Sequence, residues 1–297
     1  MFFGLILILR NMKKRTLAIA IIGFLCLFFL PSQNTVYAST PFSRLNVKPI
    51  VLRSQFYTTY SNSSEERKCN IERAAKSLNN TLVLSGAEFS FNDTVGKRST
   101  ANGYKVSKII FNGKFIDGVG GGVCQVSTTL YNAVILSNLW VTEYHPHSLP
   151  VSYIAPSFDA MVNSGSADLK FINTTYNPLI IKTIADGKIL KIEIWGEKLD
   201  CKIKRVSQKI EEIPAPREEV VIDIKNEYGL KAGERKVITY SKGGLISEGY
   251  IEIDTGKGKI IKKIRKDKYN AMQGLIMEGN GEEIVEDKKD IGEIEKN

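Results

Sequence analysis

The chain has 297 residues, a formal charge of +9, 43% hydrophobic and 25% charged residues, four cysteines and two histidines. That length buries a full core and leaves room for a smaller second module. The basic excess comes without a basic helix or interleaved aromatics, which sets nucleic acid aside as a partner.

Lys13, Lys14 and Arg15 precede an apolar run from Leu17 to Leu30 and the small-residue site Val36-Tyr37-Ala38, the layout of an export signal. The run falls short of the about 20 residues that span a bilayer, so residues 1–38 are expected to be a signal peptide cleaved after Ala38. Met12 stands directly before the basic residues as an alternative start, and a retained N-terminal segment would anchor the protein to the membrane. Residues 1–38 carry Arg10, Lys13, Lys14 and Arg15 and no acid, so their removal takes four charges from +9 and leaves +5. The expected localisation is extracytoplasmic, secreted or wall-associated. Cys26 leaves with the signal, and the odd remainder, Cys69, Cys124 and Cys201, requires at least one free thiol. Cys69 and Cys201 read either as a disulfide or as unpaired residues.

Residues 39–66 read as a polar extended segment. Glu65 to Asn79 reads as a helix, with Ile71, Ala74, Ala75 and Leu78 at helical spacing. Phe89 and Phe91 alternate with small polar residues before Asn92-Asp93 and Gly96, so short strands and loops rather than helix are expected there. Lys108 to Phe115 carries the hairpin signal Asn112-Gly113. Gly118, Gly120, Gly121 and Gly122 then lead into a helix that begins near Cys124 and runs to Leu139. Val141 to Tyr144, Val151 to Ile154 and the stretch from Asp168 to Trp195 read as strands. An α+β class follows for residues 67–200, with the helix-start cysteine packed on a mixed or antiparallel sheet. Pro214, Pro216 and their acidic neighbours make 201–217 a linker; 218–280 reads as a small all-β module and 281–297 as a disordered tail.

Cysteine at a helix start is chemically distinctive, because unpaired N–H groups and the positive end of the helix dipole favour the thiolate, the nucleophilic form. The preceding glycines permit unusual backbone conformations, and free N–H groups there suit an oxyanion. The two histidines, His145 and His147, lie close after this helix, and a cysteine nucleophile needs a base and a group to orient it. Asp159 and Asp168 are the acidic candidates for that last role, with Asn163 and Asn173 as neutral alternatives. Cys124, His145, His147 and Asp159 are also competent zinc ligands, but no C-x-x-C or H-E-x-x-H spacing is present, so neither a metal nor a cofactor is expected. The bland alternative is a tight glycine turn before a small buried cysteine.

Phe89-Ser-Phe-Asn92, Val95-Gly96-Lys-Arg98, Gly103-Tyr104, the run from Gly120 to Ala133, His147-Ser148, Asp159-Ala160 and Asp168 to Asn173 together resemble the VanW family of bacterial envelope proteins. Residues 229–244 are similar, more weakly, to a shortened G-five domain, a β module suspected of binding peptidoglycan sugars. The resemblance implies envelope localisation and a link to peptidoglycan and to glycopeptide resistance. The order cysteine, histidine, acid is similar in layout to papain-like wall peptidases and transglutaminase-like folds, and His147, in the family-like His-Ser pair, is preferred over His145 as base. Absence of a Ser-His-Gly-Cys pattern argues against L,D-transpeptidases.

The expectation is therefore a thiol-dependent hydrolase or acyltransferase on wall peptides, with Cys124, His147 and Asp159 catalytic. His145, Gln125, Asp168 and Asn173 support them, and Gly120, Gly121, Gly122, Val123, Ser127 and Thr128 line the substrate. The alternative is a non-catalytic module that binds peptidoglycan or a glycopeptide.

Overall fold

A computed structural model describes residues 50–111 and 113–280. The expected signal, Cys26, residues 39–49 of the N-terminal segment, Asn112 and the expected tail lie outside the described residues. In chain order the first half comprises β1 (Val51–Thr59), α1 (Glu65–Leu78), β2 (Thr81–Val83), β3 (Glu88–Ser90), α2 (Phe91–Val95), β4 (Val106–Phe111), β5 (Lys114–Val119), α3 (Val123–Leu136), β6 (Trp140–Glu143) and β7 (Lys170–Ile172). Then follow β8 (Leu179–Ala185), β9 (Ile189–Gly196), β10 (Lys202–Ile213), β11 (Glu219–Asp223), β12 (Arg235–Thr239), β13 (Gly244–Asp254), β14 (Lys259–Tyr269) and β15 (Leu275–Gly279).

These strands form five sheets against three α-helices among the described residues, so the expected α+β class is corrected to a mainly β architecture. The expected picture of a cysteine-bearing helix laid on one sheet is corrected with it. Twelve of the fourteen residues of α3 are buried, so the helix is enclosed on every side rather than resting on a sheet by one face. On one side Thr58 and Ser54 of β1 hydrogen-bond to Thr129 and Ala133; on the other Ser127, Thr128 and Asn132 hold the irregular segment 158–160.

The largest sheet of the N-terminal half is antiparallel, in the order β1-β9-β8-β2. Alternate residues of β9, Leu190, Ile192 and Ile194, are buried, as a two-residue period requires of a sheet with one core face. Helix α1 starts at the Ser64 cap, which accepts from Arg67 N–H, carries Glu65 and Glu66 in its first turn, and buries Ile71, Ala74, Ala75 and Leu78. Phe91–Val95 is a short helix where strands and loops were expected, because the Ser90 hydroxyl caps it and Gly96, at φ 75°, ends it. Val51–Thr59, within the expected extended segment, is a full strand of the sheet. Val151 to Ile154 is a turn rather than a strand: Pro150 and Pro156 flank it and neither donates to a ladder.

Lys202–Ile213, inside the expected linker, is a twelve-residue strand paired along its length with β13. Alternation of Ile203, Arg205 and Ser207 with exposed lysines is a strand period, and the prolines lie beyond its end. The order β10-β13-β14 makes one three-stranded sheet and β11-β15-β12 another, in which β11 and β15 run parallel. Arg205 ties β10 to the core, hydrogen-bonding to Asn132 of α3 and stacking 4.2 Å from the Phe56 ring and 4.8 Å from Phe158. Among the described residues no helix is long and apolar enough to cross a membrane.

Candidate active site

Hairpin β4–β5 delivers the chain to Gly120, Gly121 and Gly122, which turn it into α3. A Cβ on Gly121 would lie 2.6 Å from the Lys108 carbonyl oxygen, and one on Gly122, at φ 110°, would lie 3.0 Å from Ile71. The glycines thus let β4 and α1 close onto the helix start. Asn70 seals the turn, donating to the Lys105 and Gly121 carbonyls at 3.0 Å and accepting from Lys105 N–H at 2.7 Å. No side chain caps α3, so its positive end faces the first turn, where Cys124 sits. Cys124 and Leu136 are the residues of this helix that retain appreciable exposure.

Residues 124, 127, 128 and 132 share one stripe of α3 by the i, i+3, i+4 rule. Ser127 donates to the Ala160 carbonyl at 2.5 Å, Thr128 accepts from Ala160 N–H at 2.9 Å, and Asn132 donates to the Phe158 carbonyl at 2.7 Å. This stripe pins residues 158–160 alongside the helix and carries Asp159 between its contacts. Asp159 Oδ2 accepts from His147 backbone N–H at 2.6 Å and pairs with His147 Nδ1 at 2.7 Å. The Cys124 thiol donates to the Val162 carbonyl at 3.3 Å and lies close enough to His147 for each to shift the other's ionisation. Cys124, His147 and Asp159 are therefore brought into one continuous array.

Burial opposes charge on all three groups, and their mutual contacts overcome it. Burial raises the Cys124 thiol, but the His147 hydrogen bond and charge, with Arg98 nearby, bring it below its ordinary value. Burial likewise works against protonated His147, yet Asp159 and Cys124 raise it to about 9. Asp159 is lowered despite its burial, chiefly by His147 and then by Arg265 and Tyr269. These opposed shifts, Cys124 and Asp159 downward and His147 upward, favour a thiolate–imidazolium pair backed by a carboxylate, the arrangement of an activated cysteine nucleophile.

Residues 66–195 match the family described as VanW like protein. The chain carries a VanW-family domain. It is 34% identical over 161 residues to the uncharacterized protein YoaR of Bacillus subtilis, covering 54% of this chain and 53% of that one. It is 32% identical over 140 residues to the vancomycin B-type resistance protein VanW of Enterococcus faecalis, covering 45% and 50%. The chain thus spans about half the length of the curated relatives it matches. A solved structure titled HP0197-G5 aligns with 27% of the chain and 95% of its own at 14% identity, with a TM-score of 0.15 that supports no statement about fold.

The remaining expected residues of the VanW-family domain sit elsewhere or do structural work. His145 pairs with Glu143 at 2.9 Å, and Lys170 bonded to the same carboxylate, with His145, takes it down to about 2. Gln125 points away from Cys124, donating to Thr58 and Thr59 and accepting from Arg67. Asp168 accepts from Ser90 and the N–H groups of Asn92 and Leu169, and Asn173 closes the turn to Thr175 and Asn177. Gly121, Gly122, Val123, Ser127 and Thr128 are buried, so the substrate-lining role expected of them is corrected to packing and loop-holding; Gly120 is half-buried. Cys69 and Cys201 are free thiols, which excludes the disulfide alternative in this structure. Among the described residues no three His, Cys, Asp or Glu side chains are grouped to hold a metal ion.

Four residues at the site escape sequence reasoning. Tyr153, in the turn formed by residues 151–154, meets the His147 ring edge-on at 6.5 Å. Arg98, its charge opposed by burial, donates to Asn92 at 2.7 Å and lies with its Cβ 3.2 Å from where a Gly120 Cβ would be. Arg265 and Tyr269 reach Asp159 from β14, more than a hundred residues downstream. Arg98 stands in the Val95-Gly96-Lys-Arg98 motif and so carried a signal; Tyr153 lies in a stretch whose alternation suggests a strand, and Arg265 and Tyr269 meet Asp159 across more than a hundred residues.

Proposed function

We propose that the protein is an extracytoplasmic thiol enzyme that cleaves or transfers acyl groups of peptidoglycan peptides. The observation that supports this reading is the His147–Asp159 pair set beside Cys124, whose half-exposed thiol stands at the start of a buried helix and interacts with the His147 ring. In the proposed reaction the Cys124 thiolate attacks an amide carbonyl carbon, and the positive end of the α3 dipole faces the developing oxyanion. The tetrahedral intermediate collapses as His147 gives its proton to the departing amine, leaving a thioester on Cys124. Water, or a second amine, then attacks the thioester while His147 takes back a proton, and the thiolate is regenerated. Asp159 holds the imidazole orientation throughout and stabilises its charged form.

The wall-peptide substrate is supported by the export-signal layout of residues 13–38 and by the resistance protein among the relatives. Non-catalytic binding through the glycine run finds less support, because Gly121 and Gly122 are buried and the Gly121 carbonyl is taken by Asn70. The test is incubation of the protein with purified sacculi, followed by mass spectrometry of released peptides and of the protein. Release of new amine or carboxyl termini, with a thioester adduct on Cys124, is expected; Cys124→Ala should bind sacculi and release nothing. Equal release by Cys124→Ala, or none by the unaltered protein, would refute the reading.

A further inference from the structure

Asp159 has two oxygens, and the VanW-family domain uses one of them. Oδ2 takes both His147 contacts, whereas Oδ1 accepts from the Tyr269 hydroxyl at 2.5 Å and lies 3.4 Å from Arg265 Nη2. Arg265 Nη1 also donates to the Asp159 backbone carbonyl at 2.6 Å, so one side chain grips both ends of the residue. Neither group is free to drift. The Tyr269 oxygen accepts from Ser157 N–H at 2.7 Å, and Ser157 is tied to Ser247 of β13 at 2.7 Å. Arg265 is held by Asp267 at 2.5 Å and lies over the rings of Tyr144 and Tyr131, at 4.5 and 5.6 Å. All of these partners from β13 and β14 lie beyond residue 195, where the family match ends.

The geometry points to Arg265 and Tyr269 as positioning residues: the C-terminal hairpin β13–β14 completes the Cys–His–Asp array by fixing Asp159 so that Oδ2 faces His147. The inference rests on the thiol-enzyme reading above. A carboxylate buried without Oδ1 partners is costly to keep ionised, and its rotation about the Cβ–Cγ bond is then restrained by the His147 contacts alone. Occupying Oδ1 from a separate strand removes both problems, which the domain's own residues leave unsolved. Around Asp159 the charged and titratable groups are His147, Arg265 and Tyr269, with Cys124 and Tyr153 beyond His147 and Asp267 behind Arg265.

The test compares the full chain with Tyr269→Phe, Arg265→Gln and Arg265→Lys, by the pH profile of Cys124 alkylation and by the downfield Nδ1–H proton signal of His147. Tyr269→Phe keeps the ring and its packing, so it reports on the hydroxyl even where an Arg265 variant folds poorly. Expected is an acid limb displaced upward by about one pH unit, about tenfold slower alkylation below it. The His147 signal should be broadened or shifted, and Arg265→Lys should restore part of both. A merely structural role would lower thermal stability and leave the limb and the signal of the folded protein in place, which overturns the inference. An ordinary thiol profile in the unaltered chain would instead refute the thiol-enzyme reading, and the His147 signal alone would then decide the role of Arg265 and Tyr269.

Discussion

His147 keeps its proton to about 9 because it lies between a carboxylate and a thiol, although its burial favours the neutral ring. Its value is raised from the ordinary 6.5, so the stability it contributes is fully present below 6.5 and is lost as pH rises through about 9. Thermal melts between pH 6 and 10 should therefore show a decline that runs from 6.5 to about 9 and is complete above it, and His147→Gln should abolish that decline. Asp159 has the opposite sign: its value is lowered from 3.8, so its contribution is present above 3.8 and is lost as pH falls through the lower folded value. In catalysis Asp159→Asn should reduce turnover about 10³-fold or more by losing the imidazole orientation, with substrate binding little changed, as KM and kcat would report separately. His145→Ala should leave turnover within about twofold, since that ring belongs to the Glu143–Lys170 cluster.

At the scale of elements, α3 does two tasks, presenting Cys124 at its start and holding residues 158–160 by its polar stripe. Asn132→Ala removes the donor to the Phe158 carbonyl and should cost about 1–3 kcal/mol in denaturant unfolding. Gly122→Ala meets Ile71 and Arg67 at a φ of 110° and should cost a similar about 1–3 kcal/mol through strain alone. The motif from Gly120 to Ala133 was visible in the sequence as glycines leading into a helix-start cysteine, and so was α1, whose apolar spacing is a local property. What α3 touches was not visible. The hydroxyls read as substrate contacts are partners of a segment some thirty residues later. Spacing cannot reveal such a pairing, whereas the Cys124–His147–Asp159 order was legible because the chain has only two histidines and four cysteines, and Asp159 is the first aspartate after the histidines. Strand β10 was hidden for a different reason: its charged outward residues and the prolines after it mimic a linker in composition, while its two-residue period is weak.

For the whole molecule, the class departs from the sequence expectation because the helices carry the informative motifs, while many of the strands that outnumber them are half-exposed and carry a weak two-residue period. Sheet β10-β13-β14 is more than an appendage, since Arg205, Arg265 and Tyr269 reach from it to α3 and Asp159. The VanW-family domain expressed as residues 66–195 also lacks β1, whose Thr58 and Ser54 bond to α3, so it should melt well below the longer chain or fail to fold. Circular dichroism of residues 50–280 and 66–195 would check this. The account as a whole stands on the state of one thiol. Cys124 alkylation by iodoacetamide should proceed between pH 5 and 8 far faster than a model thiol of value 9.0, and His147→Ala should return it to the model profile. A Cys124 rate that follows an ordinary thiol across that range, unchanged by His147→Ala, would contradict it.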